Sequence, residues 1–67
     1  METIKQVIDS YPGKITASQI ASLDYYLDDH PRMEVRSVWY DSICDILMVG
    51  FANGLIMGIE TDGSRNT

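Results

Sequence analysis

Cysteine and histidine are nearly missing from this chain, which has one of each, Cys44 and His30. A single cysteine excludes an internal disulfide, and the pair cannot supply the usual four ligands of a structural zinc site. A chain of 67 residues must then stabilise one small core by packing or by association with another chain. Positive charge is scarce as well. Five Lys and Arg stand against ten Asp and Glu, a formal charge of −5 that opposes contact with phosphate backbones and anionic lipid surfaces. Long apolar runs are also absent. Ile46 to Ala52, continued by Leu55 to Ile59, is interrupted at Asn53-Gly54 and falls well short of the roughly 20 residues that span a bilayer. Met1 to Gln6 has no basic segment leading into an apolar one, so no secretory signal is read there, and the unpaired cysteine suits a reducing compartment. The expectation is a cytoplasmic protein without membrane contact.

What is present divides into two halves of different period. Ile4, Val7, Ile8 and Tyr11 follow the i, i+3, i+4, i+7 pattern of a helix that Pro12-Gly13 stops. Thr16 and Gln19 have the spacing of a capping box, with Ile15 and Ile20 placed as a hydrophobic staple. Ile20, Leu23 and Leu27 continue the stripe, and His30-Pro31 ends it, because the residue before proline is pushed out of helical geometry. This predicts a second helix over 17–29. Beyond it, residues 33–40, 45–51 and 55–61 are rich in β-branched and aromatic types and read as three strands, with turns at Asp41-Ser42 and Asn53-Gly54. The predicted fold is α+β: two N-terminal helices packed on a three-stranded antiparallel meander, ααβββ, within a single domain over 1–61. Residues 62–67 read as a flexible polar tail.

A two-residue type I′ turn at Asn53-Gly54 pairs Ala52 with Leu55, Phe51 with Ile56, Val49 with Gly58 and Leu47 with Glu60. Period-two alternation then puts Leu47, Val49, Phe51, Ile56 and Gly58 on one face, expected to be core. Ile46, Met48, Gly50, Ala52, Leu55, Met57 and Ile59 fall on the other. Both faces are apolar, whereas a sheet covered by helices on one side should show a polar face to water. Either another part of the chain folds over the second face, or the register slips by one residue, or that face meets another protein chain. On the last reading Ile46, Met48, Leu55, Met57 and Ile59 are contact residues, the methionines adapting to a partner.

No residue constellation supports catalysis. His30 and Cys44 lack an orienting third group and an oxyanion hole, so His30 reads as a helix C-terminal residue and Cys44 as a small buried or half-buried one. Asp24, Asp28 and Asp29 cluster on the second helix without the grammar of a calcium loop, and the last two oppose the helix dipole. With Tyr25 and Tyr26 beside them they form an acidic, aromatic patch suited to a basic protein partner. No cofactor, metal or catalytic residue is expected, and the chain reads as a non-enzyme.

Two resemblances bear on function. The run Lys14 to Ala21 resembles the opening of the first helix of a helix-turn-helix, and a hairpin follows as in winged-helix proteins. No recognition helix follows, however, and the charge is wrong, so direct nucleic-acid binding is not expected. In size, charge and want of a catalytic motif the chain is similar to small phage-encoded inhibitors, including anti-CRISPR and DNA-mimic proteins. That resemblance implies a small acidic, viral-type interaction module that binds and inhibits or modulates another protein. The alternative is a homo-oligomeric structural or accessory subunit, such as a homodimer, whose apolar sheet face is its self-interface.

Overall fold

A computed structural model describes residues 4–66. Helix α1 spans Ile4–Ser10 and buries Val7. Its last turn closes where the Tyr11 amide donates to the Val7 and Ile8 carbonyls, at 3.1 and 3.3 Å. Helix α2 spans Ala17–Asp29, as its capping signals require. Thr16 Oγ1 accepts from the Gln19 amide at 3.1 Å, and the Thr16 amide donates to Gln19 Oε1 at 2.8 Å, completing the capping box. His30 is the C-cap, its amide donating to the Tyr26 and Leu27 carbonyls. Its ring stacks on Tyr26 at a centroid distance of 4.1 Å.

The sheet has four strands where three were predicted: β1 (Val35–Asp41), β2 (Ile46–Phe51), β3 (Ile56–Ile59) and β4 (Arg65–Asn66), antiparallel and in chain order. The fourth strand lies in the predicted tail. Two turns of one design make the last two hairpins. In the first, the Phe51 amide donates to the Leu55 carbonyl at 2.8 Å, and the Leu55 amide donates to Asn53 Oδ1. In the second, the Glu60 amide donates to the Ser64 carbonyl at 2.8 Å, and the Ser64 amide donates to Asp62 Oδ1. Each turn carries one glycine at positive φ, Gly54 at 92° and Gly63 at 91°. These are three-residue loops with a left-handed glycine in third place, not the two-residue type I′ turn expected at Asn53-Gly54.

The extra loop residue shifts the register by one. Leu47 pairs with Ile59, Met48 with Gly58, Val49 with Met57 and Gly50 with Ile56. The expected facing of the third strand is thereby inverted. Met57 and Ile59 are fully buried, Leu55 packs against the core, and Ile56 is 54% exposed. The physical reason is burial. The two-residue register would have set charged Glu60 beside Leu47 on the core face, whereas the observed one sets Ile59 there and turns Glu60 outward.

Both helices cover one face of the sheet. Val7 and Leu23 join Val38, Tyr40, Leu47, Val49, Phe51, Met57 and Ile59 in a single core. Tyr11 packs on Tyr40 and Tyr26 on Phe51, with ring centroids 5.0 and 5.6 Å apart. Among the described residues Gln19 is the one buried polar side chain, and its amide is fully used. Its Nε2 donates to the Ile59 carbonyl at 2.9 Å and the Asp45 carbonyl at 3.2 Å, tying the first turn of α2 to the end of β3 and to the loop between β1 and β2. The turn around Gly63 docks on the same helix. Thr16 Oγ1 donates to the Thr61 carbonyl and Ser22 Oγ to the Gly63 carbonyl, both at 2.7 Å.

Candidate functional site

With the helices on one side, the other side of the sheet is left bare by the described residues. Its outward residues follow from the ladders: Ser37, Trp39 and Asp41 on β1, Ile46, Met48 and Gly50 on β2, Ile56 and Gly58 on β3, and Asn66 on β4. Trp39 pairs with Met48, and Met48 with Gly58, in one row across the sheet. The glycines let their neighbours lie flat on the backbone. A Cβ on Gly50 would stand 2.8 Å from Ser37 Oγ and 3.4 Å from the Trp39 ring; one on Gly58 would stand 3.0 Å from Ile46 Cγ2 and 3.4 Å from Met48 Sδ. The result is a low, apolar surface on which Trp39 is 39% and Ile56 54% exposed. An open groove of about 220 Å³ lies at its end beside the β2–β3 turn, lined by Arg36, Ser37, Trp39, Gly50, Leu55 and Ile56 among others.

Five sheet residues were expected at a contact face, and the structure divides them. Ile46 and Met48 lie on the bare face, half-buried among their own neighbours. Met57 and Ile59 do not: they are fully buried on the core side and are not available to a partner, while Leu55 packs against the core and also lines the groove. Trp39, Ile56 and Arg36 take their place and were missed. The turn expected at Asp41-Ser42 would not have found Trp39: the strands are joined by a four-residue loop, 42–45, which pairs Asp41 with Ile46 and so sets Trp39 beside Met48.

The residues of the acidic patch keep their expected exposure. Asp24, Tyr25, Asp28 and Asp29 are all solvent-exposed on α2, on the opposite side of the molecule from the bare sheet face. Tyr26 instead turns partly inward onto Phe51. A cation joins this patch unforeseen: the Arg65 guanidinium stands 5.8 Å from the Tyr25 ring centre and 5.6 Å from that of Tyr26. Its Nη1 donates to the Ser22 carbonyl and to Ser22 Oγ, each at 3.2 Å.

The loop between β1 and β2 corrects the expectation for Cys44, which is exposed. Asp41 Oδ1 accepts the Ile43 and Cys44 amides at 3.0 and 3.3 Å, which turns the loop tip into solvent and leaves Ile43 92% exposed. Asp45 closes this loop with a φ of 56°, a left-handed conformation that Asp tolerates better than most residues. The buried Tyr40 hydroxyl donates to Asp45 Oδ1 at 2.6 Å. That bond, with burial and the charges of Asp45 and Asp41, pushes the Tyr40 phenol from 10.0 up to about 12. Amide donation from Ser64 holds the Asp62 carboxyl below its ordinary range.

Among the described residues no cluster of three His, Cys, Asp or Glu side chains could hold a metal, and no helix is long and apolar enough to cross a membrane. The likeness to a helix-turn-helix ends with α2, because the next element is a strand. No family model, curated protein or solved structure matches this chain.

Proposed function

We propose that this chain is a small acidic interaction module that binds another protein chain through the bare face of its sheet and modulates what it binds. The observation that carries the reading is the apolar face of Trp39, Ile46, Met48 and Ile56, which no part of the described chain covers. Exposed apolar patches of this kind on small soluble domains mark interfaces. Methionine and tryptophan suit the centre of such contacts. The acidic side of α2 is the second contact surface and selects a basic partner. Within this reading the chain is not an enzyme. Its size and charge favour an inhibitor of the phage type, acting in the cytoplasm. The test is affinity capture from the source cell with the wild-type chain and with Ile56→Lys. A partner retained by the first and lost by the second supports the reading. Identical captures with both overturn it.

A further inference from the structure

We propose that the partner on the bare sheet face is a second copy of this chain. The two sheets pack face to face about a two-fold axis that lies in the interface and runs across the strands. This rests on the reading of that face as an interface.

The charges along the face select the arrangement. Arg36 stands at one end, lining the groove beside Ser37, Gly50 and Ile56, and makes no ion pair with any described residue. Asp41 stands at the opposite end, paired with Ile46. Glu60 follows Ile59, the partner of Leu47, and so faces outward in the row of Asp41 and Ile46. The row between these ends, Trp39, Met48, Gly58 and Asn66, holds no charge. A two-fold axis across the strands lays the Arg36 end of each copy over the Asp41 and Glu60 end of the other, twice per dimer. An axis along the strands would stack like on like. Glu34 lies beyond the last ladder pair, with Arg32 preceding it, and leaves the polarity in place. The acids of α2 belong to the far layer, about 10 Å or more away, where screening over roughly 8 Å at physiological salt removes most of their influence.

Shape and area agree with this occupant. Glycines at 50 and 58 keep the face low, so a second sheet can approach to the usual spacing of about 10 Å. A standard interface takes about 800 Å² from each partner. Against a total surface of 4460 Å², that is a share one face of a two-layer molecule can provide. The competing arrangement joins copies through the open edge of β1. The irregularity between Val35 and Ser37 breaks the spacing of that edge, and edge pairing would leave the apolar face bare.

Sedimentation equilibrium on the full chain decides the matter, with circular dichroism checking that each variant is folded. The wild type is expected to be a dimer. Ile56→Lys is expected to raise the dissociation constant on the order of 100-fold. Arg36→Glu is expected to raise it about tenfold, since symmetry counts each pair twice. A wild-type monomer at every concentration up to roughly 1 mM overturns the proposal. The capture experiment above then still decides whether the face binds a different chain. A dimer indifferent to Ile56→Lys, or one that Arg36→Glu leaves unchanged, overturns it as well.

Discussion

Single residues in this fold do more than one job, and that sets what their replacement does. Thr16 caps α2 and also donates to the Thr61 carbonyl, so Thr16→Ala removes two bonds. Its expected destabilisation is about 1–2 kcal/mol, readable as a lowered midpoint in urea. Gln19→Glu keeps the acceptor of the capping box but sets a buried carboxylate against the Asp45 and Ile59 carbonyls. Burial raises the pKa of such a group, so this variant is expected to be most stable at acid pH and to weaken as pH rises through the shifted pKa. Equal stability on both sides of the carboxylate range would contradict that. Tyr40 obeys the same sign. Its phenol is raised from 10.0 to about 12 in the fold. The stability this gives is fully present below pH 10.0 and is lost as pH climbs through about 12. Tyr40→Phe should remove that alkaline fall, while leaving the Asp45 carboxylate without its donor at neutral pH. Absorbance titration of tyrosinate should likewise show one late residue in the wild type.

At the scale of elements, local signals were legible in the sequence and long-range ones were not. Helix α2 could be bounded because Thr16, Gln19 and Pro31 act on their own chain neighbours. The third strand could not be faced correctly, because Asn-Gly serves both a two-residue and a three-residue loop, and both faces of the hairpin are apolar. Only the cost of turning Glu60 inward separates the registers. β4 escaped because two residues carry no period, although Asp62-Gly63 repeats the signal at Asn53-Gly54. The candidate face was legible at Ile46 and Met48, and invisible at Trp39 and Ile56 for want of a register. The same facing makes Met57→Lys unfold the domain, since Met57 is fully buried, whereas Ile56→Lys should leave it folded. Phe51→Ala should cost roughly 3–5 kcal/mol. The twin turns offer a finer comparison. Alanine at either glycine costs about 1–2 kcal/mol for its left-handed backbone. At Gly63 the new Cβ would also stand 3.1 Å from the Ser18 carbonyl oxygen, while Gly54 has open space. Gly63→Ala should therefore be the more destabilising, and the reverse order would show that the turn does not dock on α2.

The whole molecule is a two-layer plate with different chemistry on its two broad sides. Exposed carboxylates and Tyr25 mark the helix side, and a low apolar surface marks the sheet side. Pairing two plates through their sheets hides the second and displays two acidic surfaces facing apart. Replacing Asp24, Asp28 and Asp29 with Lys should leave both the fold and this pairing intact, while slowing association with a basic partner and flattening its salt dependence. Trp39, the only tryptophan in the chain, lies on the sheet side and reports directly on whether that side is covered. Its fluorescence should therefore be followed through serial dilution of the wild-type chain. A covered face predicts blue-shifted, weakly quenched emission at high concentration that moves to the red, and becomes open to quencher, as the protein is diluted. Emission that stays red and freely quenched at every concentration would contradict it.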